Sequence, residues 1–151
     1  ATQDKVSIPE RFATYYTRIY ASSTKKTEEE SRELLEGINV QTLTKEDRDT
    51  LERDLTEEEI ENAIHTLKSG KAMGPNGIPI ELYKAQSEIL TPYLLQMFQE
   101  SKDRGILPED QRTATIVTIY KTGKPKDDCA SYRPIALLNA EVKVLAKLLA
   151  N

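Results

Sequence analysis

The stretch TATIVTIYKTGKPKDDCASYRPIALLN, residues 113–139, decides how this chain is read. It opens with an apolar, β-branched run from Ala114 to Tyr120, the composition of a strand. A polar loop follows, carrying Lys121, Lys124 and Lys126 around Gly123 and Pro125. Apolar character returns from Tyr132 to Asn139, with Arg133 fixed beside Pro134. The pattern predicts a strand, a mobile basic loop and a second extended segment. Such a hairpin gathers three ammonium groups and one guanidinium near one place, an arrangement suited to polyphosphate.

Outward from this hairpin the chain reads as helical. Residues 9–21 predict a helix with Pro9 in its first turn and Phe12, Tyr15, Tyr16, Ile19 and Tyr20 on one face. That face could stack bases, but its helical spacing favours docking on another element. Thr27 with Glu30 forms a capping box for a helix ending at Gly37. Thr44 and Asp47 make a weaker box, opening a charged segment whose charge reads as a solvated face. The clearest helix starts at Thr56, with Glu59 completing its box and Ile60, Ala63, Ile64 and Leu67 in helical register, and is expected to stop at Ser69-Gly70. His65 lies beside that stripe and is not expected to bind metal or act as an acid or base.

Three glycines, two prolines and an Asn-Gly pair fall within Gly70–Pro79, with Lys68 and Lys71 at the mouth. Glycine lets a backbone approach a partner closely, so this loop is either a connector or a contact site. A short helix from Ile80 to Ala85 presents Leu82 and Tyr83. A longer one is expected to begin at Thr91 and Pro92 and to end at Gly105, burying Leu94, Leu95, Met97, Phe98 and Tyr93. Val142, Leu145, Ala146 and Leu149 predict the buried stripe of a last helix.

Composition bounds what the chain can do. It has 151 residues, 38 % of them apolar, which predicts a thin core or one completed against something else. One cysteine, Cys129, and one histidine, His65, give little support to a disulfide framework, a Cys/His zinc site or a nucleophilic triad. No apolar run reaches membrane-span length and no signal pattern opens the chain, so a soluble, intracellular protein without a membrane partner is expected. Net charge is −4, but residues 1–59 carry 9 Lys/Arg against 15 Asp/Glu and residues 60–151 carry 12 against 10. The acidity therefore belongs to the front, and the rest remains compatible with nucleic acid.

The loop and the hairpin together carry a resemblance. LTEEEIENAIHTLKSGKAMGPNGIPIELYK, followed by GILPEDQRTATIVTIYKTGKPKDDCASYRPIALLNAEVKVLAKLLAN, resembles the N-terminal, fingers part of the reverse transcriptase domain of LINE-type, non-LTR retrotransposons. A Gly-Pro-Asp-Gly-like loop, an Ile-x-Lys-x-Gly segment and a Tyr-Arg-Pro-Ile-x-Leu-Leu-Asn segment occur in that order in the family. Asn76 departs from the family's usual Asp, and either residue would tolerate a left-handed turn position. The resemblance covers residues 55–151, and more loosely 8–21, which is similar to the connector ahead of such polymerases.

It implies an α+β, mostly helical fold: residues 1–55 a helical connector, residues 56–151 a fingers subdomain with a short antiparallel hairpin, truncated before the palm. By resemblance, Lys121 meets the phosphates of an incoming deoxynucleoside triphosphate and Arg133 lies over its base and phosphates. Lys71, Gly74, Pro75, Asn76 and Gly77 resemble the segment that cradles template RNA. The complete enzyme would copy RNA into DNA with Mg²⁺, holding template RNA and an RNA/DNA hybrid, in the nucleus or a cytoplasmic ribonucleoprotein. The palm acids that bind Mg²⁺ are expected beyond these residues, together with the thumb; Asp127-Asp128 sits in a polar loop, unlike a catalytic pair. The chain alone is therefore expected to hold no cofactor and to be inactive. The contrasting expectation is a non-catalytic helical module that binds protein through its aromatic N-terminal helix, as a domesticated remnant.

Overall fold

The computed structural model of the chain describes residues 6–21, 28–36, 38 and 41–150. It is an α+β fold, mostly helical, with seven α-helices among the described residues and one antiparallel two-stranded sheet. Two compact units result, one of Ala1–Leu51 with Tyr120–Tyr132, the other of Glu52–Ile119 with Arg133–Asn151.

In the first unit α1 spans Ile8–Tyr20. Its start is set by Ser7, whose hydroxyl accepts from the Glu10 N–H while the Glu10 carboxylate accepts from the Ser7 N–H. This box satisfies two backbone donors that a helix start otherwise orphans, and it was hidden in the sequence behind Pro9. No α1 residue is fully buried. Part of its aromatic face docks: Phe12 meets the Tyr132 ring edge-on at 5.1 Å, and the Tyr16 hydroxyl donates to the Tyr132 carbonyl at 3.2 Å, while Ile19 and Tyr20 stay exposed. α2 (Glu28–Leu35) and α3 (Lys45–Glu52) follow. The expected cap pair Thr27–Glu30 and the stop at Gly37 lie outside the described residues. At α3 the Thr44–Asp47 box forms in full, and the helix buries nothing, as its charged face predicts.

The second unit holds the core. α4 (Glu57–Thr66), α5 (Ile80–Ala85), α6 (Ser87–Arg104) and α7 (Ala140–Leu149) enclose Ile60, Ala63, Ile64, Ile80, Tyr83, Leu94, Phe98, Ala140 and Val144. Thr56 and Glu59 cap α4 as the sequence predicts. Each fully buried isoleucine of α4 contributes about 1.5–3 kcal/mol. The helix stops earlier than the glycine suggested. Leu67 leaves helical geometry at ψ 139°, and its carbonyl instead accepts from the Lys84 ammonium at 2.5 Å.

Three further differences from the sequence reading have physical causes. α6 begins at Ser87, not at Thr91, so Pro92 lies inside it. The N–H that Pro92 lacks would have bonded the carbonyl of exposed Glu88 in the first turn, where water can reach it. Tyr93 points outward at 69 % exposure, while Leu94 and Phe98 are buried. α6 ends as predicted at Gly105, at φ 67°, with its N–H on the Lys102 carbonyl and the Ile106 N–H on that of Ser101.

The stripe of α7 is rotated from the predicted one. Val144 is 0 % exposed and Leu149 73 %, so Ala140, Glu141 and Val144 form the inward face, with Leu145 and Leu148 partly covered. A glutamate on that face disguised it.

β1 (Thr115–Tyr120) and β2 (Tyr132–Leu137) pair as the expected hairpin. Its stem belongs to the second unit and its outer end to the first. Ile116, Val117, Ile119 and Ile135 remain exposed despite their apolar, β-branched character.

Candidate functional site

The glycine-rich loop is built against the start of α7, within the second unit. Gly70, at φ 70°, opens it and donates its N–H to the Glu81 carboxylate at 2.6 Å. That hydrogen bond holds the Glu81 carboxyl below the usual range. The Gly77 N–H then closes a four-residue turn on the Gly74 carbonyl at 3.1 Å, with Pro75 and Asn76 at its centre. The left-handed residue is Gly77, at φ 70°. Asn76 has a negative φ, so the reading of position 76 as a left-handed turn residue is corrected.

Two buried polar residues of the α7 start hold this turn. A Cβ on Gly74 would overlap the backbone nitrogen and Oδ1 of Asn139, so only glycine permits the approach. Asn139, 1 % exposed, accepts the Asn76 N–H at 3.2 Å through Oδ1 and donates through Nδ2 to the Asp110 carbonyl at 3.2 Å. Asn76 turns its side chain to two tasks. Its Oδ1 accepts the Ile78 N–H at 3.0 Å, and its Nδ2 donates to Glu141 Oε1 at 3.1 Å. Glu141, 8 % exposed, also accepts the Tyr83 hydroxyl. Burial, with Glu141 beside it, pushes the Tyr83 hydroxyl well up.

Beside the turn lies a cleft of about 280 Å³ with an apolar floor that includes Leu67, Met73, Ile78 and Ala140. Lys68, Lys71 and Lys143 line it, with no acidic residue among its walls. Lys143 is anchored there, donating to the Ala72 carbonyl at 2.9 Å. The structure thus brings Lys71, Gly74, Pro75, Asn76 and Gly77 into one loop, as the sequence places them. It adds Lys143, Asn139, Glu141 and Tyr83, which the sequence reading did not assign to the site. Their connection to the loop is long-range, and no local signal in the sequence carries it.

The outer end of the hairpin, in the first unit, is held by several hydrogen bonds. The Lys121 N–H donates to the Ser131 carbonyl at 2.8 Å, and its ammonium to the Ala130 carbonyl at 2.8 Å. Three donors on an ammonium leave two for another acceptor. Gly123, at φ 84°, permits the turn closed by the Lys124 N–H on the Lys121 carbonyl. The Tyr132 hydroxyl donates to the Lys126 carbonyl at 2.9 Å, and the Tyr120 hydroxyl to that of Lys124. The Lys126 ammonium lies 5.9 Å from the Tyr120 ring centroid. Asp128 accepts the Ala130 N–H at 2.9 Å and so caps a short 3-10 turn, Cys129–Ser131.

Arg133, in the second unit, is exposed, and its guanidinium pairs with no described carboxylate. His65 is exposed too. Among the described residues no three His, Cys, Asp or Glu side chains gather as a metal site, and no helix is long and apolar enough to cross a membrane.

The proteins to which this chain is similar include RNA-directed DNA polymerases of mobile elements. It is 32 % identical, over 97 residues and 64 % of its length, to the RNA-directed DNA polymerase from mobile element jockey of Drosophila melanogaster. Over 145 residues, 96 % of its length, it is 26 % identical to the transposon TX1 uncharacterized 149 kDa protein of Xenopus laevis. A probable RNA-directed DNA polymerase from transposon BS of Drosophila melanogaster is 33 % identical over 94 residues, 62 % of this chain. The chain spans 11 % of the length of the first two relatives and 10 % of the third. No family model matches the chain.

Proposed function

We propose that residues 56–151 act as the fingers portion of a LINE-like RNA-directed DNA polymerase, with residues 1–55 as a helical connector. The observation that carries this reading is the similarity to polymerases over 94 to 97 residues. In this role the Gly74–Gly77 turn brings its backbone, with Lys71 beside it, against the phosphates of template RNA. Lys121 and Arg133 meet the incoming deoxynucleoside triphosphate, Lys121 as a point charge and Arg133 as a planar fork that can bind phosphate in two places. The anion-friendly cleft supports the template part, since three lysines line it and no carboxylate does. Mg²⁺ chemistry belongs to palm acids elsewhere in the polymerase, and the site of action is the nucleus or a cytoplasmic ribonucleoprotein.

The test is binding of a short single-stranded RNA across a salt series. Affinity is expected to fall linearly on a log–log plot, with Lys71→Ala lowering the slope by about 1. Binding of a deoxynucleoside triphosphate is expected to drop in Lys121→Ala and Arg133→Ala. Affinities unchanged in all three variants would remove the reading. The exposed Ile116, Val117, Ile119 and Ile135 favour a second reading, a helical module that binds another protein. That reading gains if the chain binds neither RNA nor nucleotide.

A further inference from the structure

Glu141 is a buried carboxylate with a job to explain. At 8 % exposure it faces α5 and the glycine loop, and an apolar side chain there would avoid the cost of removing a charge from water. Its two described donors, Asn76 and Tyr83, lie 65 and 58 residues from it in sequence. The Tyr83 hydroxyl fixes the carboxylate from α5. The carboxylate in turn fixes the amide of Asn76, whose nitrogen lies 3.1 Å from Oε1 and 3.4 Å from Oε2. An amide whose nitrogen is claimed in this way has only one direction left for its oxygen. That oxygen accepts the Ile78 N–H at 3.0 Å, on the exit side of the turn. Asn139 meanwhile accepts the Asn76 N–H, on the entry side.

We propose that Glu141 is a positioning residue: it orients the Asn76 amide so that the Gly74–Gly77 turn is held, before any ligand arrives, in the shape that meets the template backbone. This rests on the template reading of the loop given above. Pre-organisation matters here because ordering a glycine-rich loop on binding would cost conformational entropy that a pre-formed loop avoids. The carboxylate is suited to the task because it only accepts. A carboxylate offers acceptors on both oxygens, whereas an amide could do the same task only through its one oxygen, placed at Oε1 where both donors converge.

The test uses the full chain, with amide hydrogen exchange at Asn76, Gly77 and Ile78 and binding of a short single-stranded RNA as separate readouts. Glu141→Ala is expected to speed Ile78 exchange about tenfold or more and to weaken RNA binding, with α6 amides unchanged. Glu141→Gln keeps one acceptor oxygen and is expected to restore slow exchange, which a role through charge would not predict, while Glu141→Met keeps the bulk without an oxygen and is expected not to restore it, which a role in packing would not predict. Should Glu141→Ala unfold the unit, Asn76→Asp reads the same contact from the loop side. It keeps the oxygen acceptor for Ile78, replaces the donor with a repelling carboxylate and is also expected to speed Ile78 exchange. Unchanged Ile78 exchange in Asn76→Asp and in folded Glu141→Ala overturns the proposal. So does faster exchange with RNA affinity intact while Lys71→Ala weakens it, which leaves the template reading standing. If neither exchange-speeding variant nor Lys71→Ala alters RNA affinity, the template reading itself fails.

Discussion

The side-chain nitrogen of Asn76 lies 3.1 Å from Oε1 of Glu141, joining a turn and a helix start that are 65 residues apart. Together with the contacts to Asn139, this contact ties the turn to the start of α7, and it makes the identity of residue 76 consequential. Asn76→Asp places a second carboxylate beside the buried Glu141, and of two carboxylates so close one takes a raised pKa. A folded pKa raised above the unfolded one leaves the acid side of the curve unharmed and destabilises the fold as pH rises through the unfolded value. Asn76→Asp is therefore expected to cost about 1–3 kcal/mol at about pH 7.5, and much less at about pH 4. Urea unfolding at both values measures the difference.

Gly74 and Gly70 are both loop glycines, but for different reasons. An added Cβ at Gly74 meets the Asn139 backbone, whereas at Gly70 it meets open space and only the φ of 70° opposes it. Gly74→Ala is expected to cost about 3 kcal/mol, as overpacking against backbone does, and Gly70→Ala about 1–2 kcal/mol. Equal losses in thermal unfolding would show that Asn139 yields to the extra methyl group.

The rotated face of α7 separates two residues that composition alone treats alike. Val144→Ala removes fully buried methyl groups and is expected to cost about 2–3 kcal/mol, while Leu149→Ala at the exposed end should stay within about 0.5 kcal/mol. Denaturant midpoints of the two variants decide between this face and the one centred on Val142 and Leu149.

Acid should loosen the start of α4. Partial burial pushes Glu59 up, but hydrogen bonds from Thr56 and the Arg53 guanidinium outweigh it and hold the carboxyl below the usual range. A depressed folded pKa contributes stability above the unfolded value, about 4.3, and that stability is lost as pH falls through the folded one. Thr56→Ala is expected to cost about 1 kcal/mol at neutral pH and to flatten the acid limb of the stability curve. Thermal unfolding from about pH 7 to about pH 3 reads both effects.

What the sequence by itself determined is whatever depends on neighbours a few residues apart. Thr56 and Glu59 start α4, Gly105 ends α6, β-branched residues make β1, and the glycines between Gly70 and Gly77 announce a backbone that something approaches closely. Lys71, Lys121 and Arg133 were legible as cations by type and place, and the motifs around them carried the family likeness. Tertiary structure alone decided what approaches Gly74, where α6 begins and which face of α7 is inward. Asn139 lies 63 residues from the backbone N–H of Asn76 that it accepts, and Tyr83 lies 58 from Glu141. Periodicity assigns a glutamate to the water side because ionised groups are costly to bury. Only donors brought from distant elements reverse that preference, and a one-dimensional pattern does not contain them.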